Sequence, residues 1–124
     1  MTLNRDAFLS KKGRQYKTLN IPDFGEVRIQ SLTTAERARF EMSLSDKNGK
    51  QVRSAVRTVR ERLIVASVVD DANKLQFTEA DIEQISELPS GPIDAIVEAI
   101  KKLSGFSEQD LSELEGNSEA TVDA

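Results

Sequence analysis

Apolar and polar residues alternate at a period of two in residues 16–31. Such alternation is typical of β-strands with one buried face. PDFG at 22–25 interrupts the alternation with turn chemistry, because proline fixes φ and glycine accepts a positive φ. The pattern predicts a β-hairpin with strands near 16–21 and 26–31, whose apolar positions are Leu19, Ile21, Val27 and Ile29.

After the hairpin, the apolar residues recur at helical spacing. The stretch LTTAE has the capping-box arrangement, in which the Thr33 hydroxyl accepts a backbone N–H and Glu36 reaches back. A further helix is predicted over about 51–69, because its apolar residues recur at i, i+3, i+4 and i+7. Another follows PSGP at 89–92 and ends at Gly105, a residue suited to a helix C-terminus.

Two hexapeptides, FTEADI at 77–82 and FSEQDL at 106–111, are alike. Their hydroxyl residues, Thr78 and Ser107, stand where an N-cap belongs, and an aspartate three residues later can complete a capping box. We interpret them as two helix starts built alike and not as an internal duplication, because the residues that follow diverge. The helices predicted from them run near 78–88 and 107–115.

Together these elements predict a mainly α, α+β fold with five or six helices around one core and an N-terminal β-hairpin near 16–31. A chain of 124 residues with 38% hydrophobic and 31% charged residues suits a single domain, which we expect over 1–115. The polar stretch 116–124 is expected to be a disordered tail. The longest apolar run is far shorter than a membrane span and no signal-like segment is seen, so we expect a cytoplasmic protein without a membrane partner.

Charge is distributed unevenly along the chain. Residues 1–62 hold 14 Lys or Arg against 7 Asp or Glu, whereas residues 63–124 hold 3 against 14. Such asymmetry can mark a nucleic-acid-binding half or an acidic tail. It can also mean that one half docks on the other half of the same chain or of a neighbour, or only that two surfaces are solvated differently.

Residues able to carry catalysis are sparse. The chain has no Cys and no His, which removes thiolate metal sites, disulfides and the usual near-neutral general base. No glycine-rich phosphate loop is present, and the stretch from Asp70 lacks the ligand spacing of an EF-hand. We therefore expect no catalytic residue, no cofactor, no metal site and no enzymatic activity.

Arginines form a possible binding stripe on the helix predicted over 51–69. Arg53, Arg57 and Arg60 could neutralise phosphates, which would suit a small nucleic-acid-binding regulator. The chain has a net charge of −4, one Tyr and no Trp. These features favour the interpretation of the stripe as a solvated helix face. A third use is contact with the acidic half of a neighbouring copy, which would give a heterologous interface.

The order of the parts resembles a known family. A hairpin ending in VRIQSLTTAERARFEMSL leads through DKNGK to LIVASVVDDANKLQFTEADIEQISELP, and the chain closes with IVEAIKKLSGFSEQDLSELEGN. This order is similar to that of the tail assembly chaperones of long-tailed, siphovirus-type bacteriophages and prophages. The resemblance implies a protein that binds the tape measure protein and helps recruit tail tube subunits during tail morphogenesis, without catalysis. It also implies self-association, a longer product made by ribosomal frameshifting, and a place in the host cytoplasm but not in the mature virion.

The segment after Gly105 is the candidate element for partner binding. It is acidic and too short to be stable as an isolated helix, so it must pack on its own core or on another chain. With the arginine stripe, the candidate partner-binding residues are Phe106, Leu111, Leu114, Arg53, Arg57 and Arg60. A different small phage structural or connector protein is the remaining alternative.

Overall fold

The computed structural model describes residues 1–11, 13–107, 109 and 110. Within them lie six α-helices and one antiparallel sheet, so the predicted α+β fold with an N-terminal β-hairpin is confirmed. The elements in chain order are α1 (Arg5–Leu9), β1 (Tyr16–Ile21), β2 (Gly25–Gln30), α2 (Thr34–Met42), α3 (Arg53–Arg57), α4 (Val59–Ser67), β3 (Val68–Val69), a 3-10 turn (Glu79–Asp81), α5 (Ile82–Ser86) and α6 (Ser90–Ser104).

The hairpin forms where the alternating pattern predicted it. Tyr16 pairs with Gln30 and Ile21 with Gly25, and Gly25 has φ +95° at the turn, a conformation that glycine adopts without strain. The sheet order is β1-β2-β3, with Ile29 of β2 opposite Val68 of β3. Because side chains alternate across a strand, one face of the hairpin enters the core while the other remains polar.

Helix α2 begins with the predicted capping box. The Glu36 N–H donates to the Thr33 hydroxyl at 3.2 Å, and the Thr33 N–H donates to a Glu36 carboxylate oxygen at 2.9 Å. These bonds satisfy two backbone donors that would otherwise lack partners at the helix start. Phe40 then points into the core from the buried side of the helix.

The prediction of a single helix over 51–69 is wrong. The chain leaves helical geometry at Thr58, where φ is −105° and ψ is 26°, and the Thr58 hydroxyl donates to the carbonyls of Ser54 and Ala55. Such back-bonding by a β-branched residue competes with the helix ladder. The apolar end of the segment then becomes β3, because Val68 and Val69 pair with β2.

The first hexapeptide starts a helix as predicted, through a short 3-10 turn. The Thr78 N–H donates to Asp81 Oδ2 at 2.9 Å, and the Thr78 hydroxyl accepts the Ala80 N–H at 3.3 Å. In the second hexapeptide the Ser107 N–H donates to Asp110 Oδ2 and the Ser107 hydroxyl accepts the Asp110 N–H, both at 3.0 Å. The predicted helix over 107–115 and tail over 116–124 otherwise lie outside the described residues.

Helix α6 ends at the predicted glycine. Gly105 adopts the left-handed conformation with φ +75°, and the Phe106 N–H donates to the Lys101 carbonyl at 2.9 Å. This bond is the six-to-one contact of a Schellman cap, which turns the chain back toward its own helix. This turn places Phe106 in the hydrophobic core.

One hydrophobic cluster joins the hairpin, the helices and the residue after Gly105. Its least exposed members are Ile29, Leu63 and Ile100, each at 0%, and it extends from Ile21 to Phe106. Within the described part of the chain, the helices are all too short or too polar to cross a membrane.

Candidate partner-binding surfaces

The predicted arginine stripe is divided between two helices. Arg53 and Arg57 stand at the two ends of α3, whereas Arg60 lies in α4, and all three are exposed. Arg60 Nε is 3.4 Å from an Asp94 carboxylate oxygen on α6. Arg57 and Arg60 line one shallow depression together with acidic side chains from α4 and α6. The basic surface is therefore interrupted by acids.

Some of the basic residues in the first half of the chain form ion pairs with acidic residues in the second half. Arg60 contacts Asp94, and Arg37 contacts Asp110 with an N–O distance of 3.2 Å. Each pair joins the basic first half to the acidic second half of the same chain. Each is also solvent-exposed, so its net contribution to stability is small.

Phe106 is buried against α2, with 8% of its surface exposed. Its ring meets the Phe40 ring edge-on at 6.2 Å between centroids, and the Arg37 guanidinium lies 4.1 Å from its centroid. Hydrogen bonds from the backbone N–H and hydroxyl of Ser107, followed by Arg37, hold the pKa of the Asp110 carboxyl below its usual value. These contacts hold Phe106 and Asp110 against α2. The candidate residues Leu111 and Leu114 lie outside the described residues.

An open groove runs between α2 and α4, and we call it the α2–α4 groove. It has a volume of about 330 Å³. Its apolar walls are Phe40, Val65, Ala66, Leu75 and Ile82. Leu75 is the most accessible of them, with 54% of its surface exposed.

Charges of both signs border the α2–α4 groove, at Glu36, Arg39, Arg62 and Glu79. Burial raises the pKa of Glu36, but hydrogen bonds from Arg14 and Thr33 and the charge of Arg14 outweigh it, so the net pKa is lowered. Glu36 is therefore a carboxylate near neutral pH, and it holds Arg14 at 2.7 Å.

A second groove lies between the hairpin turn and α5–α6, and we call it the hairpin groove. Its volume is about 190 Å³, below the roughly 300 Å³ at which small-molecule sites begin. Phe24 and Leu88 stand at its mouth, 38% and 44% exposed. Among the described residues that line it, two are polar, Glu26 and Gln76, and the others are apolar.

Residues 1–11, which we call the α1 arm, form the most exposed apolar segment of the described chain. Leu3, Phe8 and Leu9 are 54%, 65% and 63% exposed, and none of the five residues of α1 is buried. The helix is capped by Asn4, whose side-chain oxygen accepts the Ala7 N–H at 2.8 Å. The arm is therefore a formed helix turn whose apolar side chains do not enter the core.

Sequence reasoning predicted neither groove and assigned no binding role to the α1 arm. The grooves are built from residues distant in the sequence, such as Phe24 and Leu88, so no local period reveals them. Apolar residues do stand at turn positions, since Phe24 follows Pro22-Asp23 and Leu88 precedes Pro89. Exposed apolar residues mark a binding surface only when they form a contiguous patch, so two separate turns gave no such signal before folding.

No group of three or more acidic, His or Cys side chains in the described part of the chain is arranged to hold a metal ion. The chain matches no family model, and neither a curated protein nor a solved structure is significantly similar to it. Function must therefore be inferred from the surfaces themselves and from the resemblance in order of parts.

Proposed function

We propose that this protein is a tail assembly chaperone of a long-tailed bacteriophage or prophage, which binds the tape measure protein and helps recruit tail tube subunits. The single observation that carries the proposal is the α2–α4 groove, an open apolar channel between helices with charges on both edges. It acts in the host cytoplasm, leaves before the virion is complete and catalyses no reaction.

The shape of the groove suits a helical client. A long helical protein presents apolar stripes that aggregate when exposed, and a groove with apolar walls can cover one such stripe. Val65 and Leu75 would contact the apolar stripe, while Arg39 and Glu79 would face polar side chains on its flanks. A site of about 330 Å³ covers only part of a helix, which favours weak binding that tube assembly can reverse.

Arginine-based nucleic-acid binding is less well supported. The Asp94 carboxylate lies 3.4 Å from Arg60, and Glu61 lines the same depression, so phosphates would meet acidic neighbours there. A salt titration separates the two functions, because phosphate binding weakens steeply with salt whereas apolar capture does not. A connector protein would differ from both by remaining in purified virions.

The direct test is binding of tape measure fragments to the wild type and to Leu75→Asp. Leu75 is 54% exposed, so the change places a charge on the groove wall without emptying the core. We expect the affinity to fall by about tenfold or more, equivalent to about 1.4 kcal/mol. Isothermal titration calorimetry or a pull-down with helical fragments measures it.

Met42→Asp is the matched control for this test. Met42 lies on α2, is 72% exposed and is not among the residues that line the groove. The proposal is overturned if the wild type does not bind tape measure fragments, or if Leu75→Asp binds them as well as Met42→Asp does.

A further inference from the structure

Strand β1 forms an edge of the sheet. The strand order is β1-β2-β3, and within the described part of the chain β1 pairs with β2 alone. Its pairing runs in one unbroken register from Tyr16 to Ile21, without a bulge or an internal proline. An edge of this kind presents a row of backbone donors and acceptors with which a further strand can pair.

The hydrogen bonds at the two ends of the hairpin show which backbone groups face outward. The Ser31 N–H donates to the Gln15 carbonyl at 2.8 Å, and the Phe24 N–H donates to the Ile21 carbonyl at 3.0 Å. Because the bonding direction alternates along an antiparallel strand, the residues between them at odd positions bond to β2 and those at even positions face away from it. The outward-facing residues are Tyr16, Thr18 and Asn20. Within the described residues, their outward backbone groups make no hydrogen bond outside the hairpin.

Helix α6 lies beside this edge and forms a groove with it, which we call the β1–α6 groove. Its volume is about 370 Å³, and on the helix side its apolar lining consists of Ala95, Ala99 and Leu103. A strand added to β1 would place every second side chain over these residues. Main-chain bonds to a sheet edge with room for alternate side chains are the basis of recognition by strand addition. The groove therefore fits an extended backbone with modest apolar side chains.

Charge restricts which extended segment the groove can accept. Lys17 and Lys102 line it and are exposed, and Glu98 is the acidic residue among its described lining. Glu98 accepts a hydrogen bond from Lys101 Nζ at 3.0 Å, so its own charge is compensated. Lysine on an edge strand discourages indiscriminate pairing, and like charges exclude wrong partners while opposite charges speed encounter. The groove therefore favours an acidic segment.

We propose that the edge of β1 binds an extended, acidic segment of another protein, which pairs with Tyr16, Thr18 and Asn20 as a fourth strand and packs on α6. A second β1 is not the matching occupant, because β1 itself carries Lys17 and no acidic residue. The β1–α6 groove shares no lining residue with the α2–α4 groove, so this site goes beyond client binding and does not depend on it. A single strand buries less than a standard interface, and its affinity rests mainly on main-chain hydrogen bonds.

Hydrogen exchange followed by NMR tests the pairing residue by residue. The probe is a short synthetic peptide, blocked at both ends, in which every second residue is threonine and the others are valine and glutamate in turn. In the protein without peptide, we expect the amides of Tyr16, Thr18 and Asn20 to exchange quickly and those of Lys17 and Leu19 to exchange slowly. The peptide should slow exchange at the first three, because their N–H groups gain acceptors.

Replacement of Thr18 separates the backbone contact from the side chain. Thr18→Pro removes an outward N–H, and proline is tolerated on an edge strand where the N–H faces solvent. Thr18→Val is the matched control, since both variants lose the hydroxyl that accepts a bond from Arg28 at 3.1 Å and only proline removes the N–H. We expect the peptide to bind Thr18→Pro about tenfold more weakly than Thr18→Val in isothermal titration calorimetry.

Charge reversal provides a test that loss of folding cannot mimic. The wild type should bind the glutamate peptide more tightly than the same peptide with lysine in place of glutamate. A chain with both Lys17→Glu and Lys102→Glu should show the opposite preference. The proposal is overturned if the wild type does not bind the glutamate peptide, if Thr18→Pro and Thr18→Val bind it equally, or if charge reversal leaves the preference unchanged.

Other occupants of the edge have distinct outcomes. Slow exchange at Tyr16, Thr18 and Asn20 without peptide, at every protein concentration, would show that another part of the same chain covers the edge. Slow exchange that appears only at high protein concentration would show that a second copy covers it. Either result overturns the proposal. No tape measure fragment is present in these measurements, so their failure is separate from a failure of client binding.

Discussion

Phe8 and Phe106 lie on short segments near the two ends of the described chain, and the fold treats them in opposite ways. Phe106 is 8% exposed and touches both Phe40 and Arg37, whereas Phe8 is 65% exposed. The difference arises in the residues that connect each phenylalanine to the rest of the fold. Gly105 turns the chain back onto α6 through a Schellman cap, while Arg14 and Gln15 anchor the chain only where the α1 arm has already ended.

This comparison separates a segment that stabilises the fold from one available to other chains. Burying a phenylalanine contributes about 1.5–3 kcal/mol through removal of apolar surface from water. Phe106 supplies that contribution to its own domain, and Phe8 does not. The sequence left open whether the segment after Gly105 packs on its own core or on another chain, and the structure places Phe106 in the core. A partner role for that segment remains a prediction that rests on Leu111 and Leu114.

The largest change in stability is expected when each phenylalanine is replaced by alanine. Phe106→Ala should lower the free energy of unfolding by about 3 kcal/mol, because it leaves a cavity beside Phe40. Phe8→Ala should change it by less than about 0.5 kcal/mol, since Phe8 is mostly exposed. Urea unfolding measures both, and equal effects would remove the distinction between the two segments.

A smaller effect is expected at Arg37, which holds the segment after Gly105 from the side of α2. Arg37→Ala removes the ion pairs with Asp110 and Glu41 and the cation–π contact with Phe106. Loss of the cation–π contact should destabilise the fold by about 1 kcal/mol. Arg39→Ala, an exposed arginine of the same helix, is the control and should cost less than about 0.5 kcal/mol. Equal unfolding midpoints for the two variants would show that these contacts hold nothing in place.

The smallest effect concerns Glu36, which fixes Arg14 at the root of the α1 arm. Its pKa is lowered in the folded chain, so its stabilising contribution is complete above its ordinary pKa of 4.5 and is lost as the pH falls through the lower folded value. Glu36→Gln should therefore flatten the acid side of the curve of stability against pH. Unfolding in urea at a series of pH values measures this.

Arg14→Met sharpens the same test from the other side of the ion pair. It removes the charge and one of the hydrogen bonds that lower the pKa of Glu36, so it should flatten the acid limb in the same direction but by less than Glu36→Gln. An acid limb unchanged in both variants would contradict the role of this pair as the anchor of the arm.

The helix starts were the most predictable features of the molecule. Thr33 with Glu36, Thr78 with Asp81 and Ser107 with Asp110 were each predicted as capping pairs, and each forms its reciprocal bonds. The bonds join residues at most three positions apart, so local geometry alone sets them. The hairpin turn and Gly105 were predictable for the same reason.

The break at Thr58 and the short strand after α4 were not predictable from the helical period. Val68 and Val69 continue the apolar end of the predicted helix, and a fully apolar stretch fits a buried helix and a buried strand equally well. They form a strand because they pair with Arg28 and Ile29 of β2. The choice depends on which edge the folded hairpin presents nearby, and no pattern within the segment records that.

By itself, the sequence determined where the capped helices start, where the hairpin turns and which residues are apolar, because hydrogen bonds and turn conformations act over a few neighbouring residues. Only the tertiary structure decided which apolar residues are covered. The α2–α4 groove brings Glu36 near Glu79, the hairpin groove brings Phe24 near Leu88, and Phe106 finds Phe40 while Phe8 remains exposed. Burial depends on surfaces from distant segments meeting in space, and those surfaces exist only after the chain has folded.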